Sequence, residues 1–133
     1  SVESQINSWS SVLSRGGYIN ILEYEGSLVG FISYGSNRLL HLGYETEVFS
    51  LYVMPKFQGL GLGKLLFGSL FNELIGSGSK SLILWVLASN PSRYFYEVMG
   101  GKVIAEKDET LWGCSLRELA YGWRPLVPFA VTA

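Results

Sequence analysis

The chain has few of the residues on which disulfides, metal sites and nucleic-acid binding depend. Its 133 residues include one cysteine and one histidine, too few for an internal disulfide or an ordinary zinc site. We therefore predict no bound metal and a reducing, cytoplasmic location. Charged residues make up 16% of the chain, the net charge is -1, and no run is basic. This balance argues against nucleic acid as a primary partner.

Long apolar runs are also missing. No stretch reaches the roughly 20 residues that span a bilayer, so we expect no membrane partner. What the chain does have is a hydrophobic content of 48%, in a length sufficient for one sizeable core. We expect residues 1–133 to form a single domain.

The stretch from residue 47 to residue 76 is the most informative part of the sequence. Residues 47–53 have the composition of a buried strand, and Pro55 ends it because proline has no N–H to donate. A glycine-rich loop, 58–64, leads into leucines and phenylalanines at helical spacing that end at Gly76. The first N–H groups of such a helix lack intrahelical partners, which suits an anion such as pyrophosphate.

Two familiar phosphate-binding patterns do not fit this loop. A Walker loop requires Gly-x4-Gly-Lys-Ser/Thr, but Gln58 lies five residues before Gly63, and Leu65 follows Lys64. The dinucleotide pattern Gly-x-Gly-x-x-Gly fails in both registers, at Lys64 and at Leu66. What the sequence has is Gln-x-x-Gly-x-Gly, with Val-x-Pro just upstream. This combination resembles the coenzyme A loop of the GNAT superfamily of N-acetyltransferases.

A second segment strengthens the resemblance. Residues 90–101, Asn-Pro-Ser-Arg-Tyr-Phe-Tyr-Glu-Val-Met-Gly-Gly, are similar to the family's Asn-Pro-Ala-Arg-x-Phe-Tyr-Glu-x-x-Gly-Gly, with Ser92 where alanine is usual. The resemblance covers residues 18–123 and implies an α+β fold of the α/β three-layer kind. This fold has a mixed, mostly antiparallel twisted sheet flanked by helices. We do not find the family's usual first strand and helix in this sequence.

Local patterns predict the remaining elements. We expect a short helix over 1–13, a strand hairpin from 18–24 and 28–34, a central strand over 81–87 and a helix over 92–99. After these come a short strand over 102–105, a turn or strand edge over 106–109 and hairpin strands over 110–123. Four apolar residues in the tail, Leu126, Val127, Phe129 and Val131, have no evident place in the core. They suggest a subunit interface and a homodimer.

By the resemblance, the co-substrate is acetyl-CoA. Its pyrophosphate would be held by main-chain N–H groups of the loop, and its pantetheine arm would lie along the end of the preceding strand and bind Asn90. The predicted cofactor-binding residues are therefore Leu51, Tyr52, Val53, Gln58, Gly59, Leu60, Gly61, Leu62, Gly63, Lys64 and Asn90.

The resemblance also assigns the catalytic residues. Tyr96 would protonate the departing thiolate. Glu47 is the candidate base, because it matches the family's catalytic glutamate and alternation places it on a face with residues 49, 51 and 53; Glu45, or a water molecule, is the rival. His41, in a surface loop, is not assigned, and we expect Cys114 to be a small buried hydrophobe.

The predicted function is transfer of an acetyl group from acetyl-CoA to a primary amine, by direct attack in a ternary complex. The acceptor, a small molecule or a peptide, is not identified by the sequence. The alternatives are a non-catalytic domain that binds coenzyme A or a partner, and an acyltransferase with a longer acyl group or a different acceptor atom.

Overall fold

The computed structural model describes residues 5–10, by their backbone, and residues 17–130. Within these residues the strands are β1 (Gln5–Ser10), β2 (Tyr18–Tyr24), β3 (Ser27–Ser36), β4 (Thr46–Val53), β5 (Leu82–Leu87), β6 (Lys102–Leu111) and β7 (Cys114–Trp123). The helices are α1 (Leu62–Gly76) and α2 (Arg93–Val98), with short 3-10 turns at Leu40–Leu42 and Pro55–Phe57. The strands form one sheet in the order β1-β2-β3-β4-β5-β7-β6. None of the helices in this part of the chain is both long and apolar enough to cross a membrane.

The β4–α1–β5 unit predicted at the centre of the fold is confirmed. The β4/β5 pair is parallel, and every other neighbouring pair in the sheet is antiparallel. The hairpin β2–β3 turns at Glu25 and Gly26, both with positive φ. The α+β class and the mixed, mostly antiparallel sheet predicted from the sequence are therefore confirmed.

One predicted element is wrong, and for another only one of its two alternatives, the strand edge at 106–109, is confirmed. Residues 5–10 form a strand that pairs with β2, where we predicted a helix over 1–13; positions 1–4 and 11–13 of that helix lie outside the described residues. Residues 106–109 continue β6 rather than turning. The turn of this hairpin lies at Trp112 and Gly113, which both have positive φ. In both cases pairing with a neighbouring strand determines the structure, and the local pattern does not.

The main core lies between α1 and one face of the sheet, which we call the helix face. The buried side of α1 is apolar and includes Leu66, Phe67, Leu70 and Phe71, all at most 3% exposed. These side chains pack with leucines and aromatic residues of β3, β5 and β7. Burial of this amount of apolar surface is the main favourable term in the stability of the fold. A smaller cluster, Tyr44, Ile83 and Ala120, lies on the other face, the open face.

Two of the four tail residues that suggested a subunit interface pack against their own chain. Leu126 is buried, and Phe129 packs against the main core. The Phe129 ring lies over Gly68 of α1, where an added methyl carbon would come within 2.1 Å of a ring atom. Asn72 fixes this contact by hydrogen bonds to both backbone groups of Phe129, each 2.8 Å long. Val127 is exposed, and Val131 lies outside the described residues.

Two irregularities of β4 shape the sheet at its centre. Between the β3 partners Ser33 and Tyr34 the register shifts by one residue, so that Phe49 is left as a β-bulge. Farther along, β4 and β5 separate, because their pairing runs only from Thr46 to Val48 on β4. Residues 49–53 of β4 and 85–87 of β5 thus have a strand neighbour on one side only. A gap opens between the two strands at their carboxyl ends.

Candidate active site

The glycine-rich loop presents backbone donors without acceptors. Gly59 and Gly61 have φ of 80° and 78°, in the left-handed region that favours glycine. Gly61 is the N-cap of α1 and provides no side-chain cap. Within the described residues, no hydrogen bond is found for the N–H groups of residues 59–64. The loop therefore has the geometry of an anion-binding helix N-terminus.

The side chain of Gln58 connects the loop to the end of β4. Its Nε2 donates to the carbonyl oxygen of Val53 at 3.0 Å. This bond uses a backbone acceptor that no strand neighbour reaches, and it fixes the start of the loop relative to the gap. Lys64 is exposed at the first turn of α1 and lines the same small cavity as the loop glycines, with a volume of about 310 Å³.

A larger cavity of about 600 Å³ occupies the gap between β4 and β5. Its walls include Leu51 and Val53 from β4 and residues 85–87 from β5. It shares Val53, Gly63 and Phe95 with the loop cavity, so the two adjoin. A long ligand with an anionic end could extend from the loop into the gap. Its arm would then lie beside backbone groups that have no strand partner.

Most of the predicted cofactor-binding residues lie along this path. Leu51 and Asn90 line the larger cavity, and Gln58, Gly59, Gly61, Leu62 and Lys64 line the smaller one, with Val53 and Gly63 in both. Two do not line either cavity: the Tyr52 ring packs on Phe31, 5.9 Å between centroids, and Leu60 is exposed. Their predicted contribution was through the backbone, so their side-chain positions leave that prediction open.

Tyr96 lies at the wall of the larger cavity, on α2. It is 8% exposed and packs among aromatic rings, including those of Phe67 and Phe95 at centroid distances of 5.8 and 5.4 Å. The neighbouring Tyr94 is 58% exposed, since adjacent residues of a helix face different directions. Burial raises the pKa of the Tyr96 phenol, and an interaction with Ser92 acts in the opposite direction. The phenol is thus protonated at neutral pH and can donate a proton.

Glu47 is buried, but it is held by an arginine and does not line the cavity. It is 2% exposed, and its two carboxylate oxygens accept hydrogen bonds from the Arg38 backbone N–H, Nε and Nη2 at 3.1, 3.2 and 2.8 Å. The bulge at Phe49 reverses the alternation of β4. The prediction that Glu47 shares a face with Leu51 and Val53 is therefore wrong: those two pack against the main core, as Val48 does.

The remaining polar candidates lie away from the cavity. Glu45 accepts a hydrogen bond from the Lys80 backbone N–H at 3.0 Å and so fixes the turn before β5. His41 is exposed in a 3-10 turn. Cys114 is exposed at the start of β7, which corrects the prediction that it is buried. No group of three or more metal-ligating side chains is found among the described residues.

The cavity residues missed by the sequence reading include Trp85 and Glu118. Trp85 Nε1 is buried and finds no hydrogen-bond acceptor in the described part of the chain. Glu118 of β7 is half-buried, and a hydrogen bond with the carboxyl of Glu109 raises its pKa, with burial adding to the effect. Neither residue belongs to a sequence motif, and only the register of β5, β7 and β6 brings them to the gap.

Comparison with known proteins places this geometry in a family. The sequence model described as the Acetyltransferase (GNAT) family matches residues 3–100. The uncharacterized N-acetyltransferase YuaI of Bacillus subtilis (strain 168) is 30% identical over 118 residues, which are 89% of this chain and 68% of YuaI. The chain thus spans about two thirds of the length of this relative.

Solved structures share the fold. The ribosomal-protein-alanine N-acetyltransferase from Brucella melitensis superposes with a TM-score of 0.70 at 26% identity, over 82% of this chain and 69% of that one. A GNAT family acetyltransferase from Elizabethkingia anophelis, solved with acetyl-CoA bound, has a TM-score of 0.67 at 16% identity, over 81% and 76%. At that identity the second comparison shows the fold alone.

Proposed function

The chain belongs to the GNAT acetyltransferase family, and we propose that it transfers an acetyl group from acetyl-CoA directly to a primary amine. The observation that carries this proposal is the gap between β4 and β5 beside a loop of unpaired N–H groups. The loop suits a diphosphate, and the gap suits a narrow arm that ends in a thioester.

The residues of the site match the requirements of the reaction. Backbone donors of residues 59–64 would hold the diphosphate, and the free edge of β4 would hold the arm through main-chain hydrogen bonds. A main-chain N–H near Val53 would stabilise the oxyanion that forms on the thioester carbonyl. These groups are fixed by the fold before any ligand binds, so they need no reorganisation during the reaction.

The proton balance assigns a role to Tyr96. The amine nitrogen attacks the thioester carbon, the C–S bond breaks, and the thiolate takes a proton from the Tyr96 phenol. An ammonium acceptor loses two protons in all: one replaces the proton lost by Tyr96, and the other passes to solvent. The hydrogen bond from the phenol stabilises the thiolate even before transfer is complete.

The role of Glu47 as the base stays a prediction. Its two oxygens both accept hydrogen bonds from Arg38, which favours a role in positioning the loop 36–44 over proton transfer. Water, the rival named from the sequence, can take the proton without a side chain in contact.

The name of one relative suggests which class of acceptor to test first. The Brucella relative is named as a ribosomal-protein-alanine N-acetyltransferase. We therefore place the amino terminus of a peptide first in an amine panel, followed by lysine and polyamine side chains. The homodimer and the cytoplasmic location stay predictions from the sequence.

The test has two stages. Calorimetry should detect acetyl-CoA binding, and a thiol assay should detect release of coenzyme A with at least one amine of the panel. Binding without thiol release from any amine would instead favour a non-catalytic coenzyme-binding domain. Absence of binding would refute the assignment of the loop and the gap.

A matched pair of tyrosine variants tests the mechanism. Tyr96→Phe should lower turnover by about a hundredfold, the range of general acid catalysis, with acetyl-CoA affinity nearly unchanged. Tyr94→Phe, two residues earlier and exposed, should leave both intact. A loss of affinity without a loss of turnover in Tyr96→Phe would contradict the assigned role.

A further inference from the structure

The larger cavity is lined by residues from both faces of the sheet. Adjacent residues of a strand point to opposite faces, and Val86 belongs to the core under α1 while Trp85 packs with Ile83 and Ala120 on the open face. Both line the cavity. A coenzyme arm entering from the loop, on the helix side, would point its thioester toward the opening on the open face.

One charged side chain lines the open-face end of the cavity. Glu118 is the one charged side chain among the described residues that line the cavity. It makes no ion pair within 4 Å with a cation of the described residues, although Lys107, its partner on β6, and Arg38 both favour its charged form. Lys107 instead places its Nζ over the Trp85 ring, 4.4 Å from the centroid.

The indole of Trp85 is an independent sign of a ligand at this end. Its Nε1 is buried without an acceptor in the described part of the chain, although Trp85 lines the cavity. A buried donor without a partner is unfavourable and uncommon in folded proteins. A ligand oxygen that reaches Nε1 from the cavity would remove this deficit.

We propose that Glu118 binds the ammonium group of the acceptor, and that Trp85 Nε1 donates to an oxygen of the same molecule. This inference rests on the proposed acetyl transfer, because it requires the coenzyme to enter the cavity from the helix face while the acceptor enters from the open face. It defines the acceptor as a cationic primary amine that carries a hydrogen-bond acceptor, such as a carbonyl or hydroxyl oxygen. Leu111 and Leu116, which line the same end, would contact its apolar part.

The test requires no knowledge of the natural acceptor. Two thioethers of coenzyme A, S-(3-aminopropyl)-CoA and S-butyl-CoA, have tails of the same length and differ by the terminal ammonium group. Their dissociation constants are measured by calorimetry for the wild type, Glu118→Gln and Asp108→Asn. Asp108 is the matched control: it is exposed on the same hairpin, its β7 partner is Arg117, and it does not line the cavity.

The wild type should bind the aminopropyl thioether about tenfold or more tightly than the butyl one, the size expected of a hydrogen bond between charged groups. Glu118→Gln should abolish this preference and leave S-butyl-CoA affinity unchanged, which also shows that the variant is folded. Asp108→Asn should keep the preference.

The outcomes separate the two proposals. Equal affinities for both thioethers in the wild type, or a preference that survives Glu118→Gln, would overturn the role of Glu118 while coenzyme binding stands. Failure of the wild type to bind either thioether would overturn the coenzyme site itself, and with it this inference.

Discussion

Substitution of Gly61 by alanine tests the phosphate loop with a minimal change. Gly61 precedes α1 as its N-cap, with φ of 78° and ψ of 13°, which is left-handed helical geometry. A methyl group added there would meet no atom within 4 Å. In the free protein, any effect of the alanine therefore comes from backbone conformation and not from a clash.

The expected magnitude follows from that geometry. Alanine in the left-handed region costs about 1–2 kcal/mol relative to right-handed geometry. The free loop is exposed and has no neighbour at this position, so it can relax to another conformation. Ligand binding must then restore the left-handed geometry, and most of this cost appears as lost affinity. We expect coenzyme A to bind about 5- to 30-fold more weakly.

The assay is calorimetry of coenzyme A binding, with thermal unfolding measured in parallel. Gly76→Ala is the control, because Gly76 is the last residue of α1, has no atom within 4 Å of an added methyl group and no positive φ. It should bind coenzyme A like the wild type. Unchanged affinity in Gly61→Ala, with its unfolding temperature also unchanged, would show that the left-handed residue does not shape the anion site.

Three further predictions concern the rest of the chain. Glu47→Gln should lower the free energy of unfolding by about 1 kcal/mol, a modest figure because Arg38 is partly exposed. The pH–rate profile of this variant should keep its acidic limb. Loss of that limb would identify Glu47 as the base. Gly68→Ala should displace the Phe129 ring and destabilise the fold by about 1–3 kcal/mol in denaturant unfolding; wild-type stability would show that the tail does not pack there. Because burial raises the pKa of Tyr96, its acid form persists above the ordinary value near 10; wild-type turnover should not fall between about pH 7 and 9.5, and a fall centred below 9 would contradict a protonated phenol as the acid.

The centre of the fold could be predicted because its signals are local. An apolar run ended by Pro55, glycines at alternate positions and leucines at helical spacing each specify their own structure within a few residues. The confirmed bounds of α1, Leu62–Gly76, reflect this. The cofactor path could be named for the same reason, since it follows the end of β4 and the loop.

The errors lie where distant parts of the chain decide the structure. Residues 5–10 have apolar positions that also fit a helix, and only the neighbouring edge of β2 makes them a strand. The bulge at Phe49 has no local signature, yet it moves Glu47 to the other side of the sheet from Leu51. Glu118 could not be chosen from the sequence, because its position depends on the pairing of β7 with β5.

The most direct test of the account is a crystal structure of the protein with acetyl-CoA. The account predicts the diphosphate on the N–H groups of residues 59–64, the pantetheine arm between β4 and β5, and the thioester beside Tyr96. Coenzyme bound elsewhere, or strands β4 and β5 closed along their whole length with the loop N–H groups filled by protein acceptors, would contradict it.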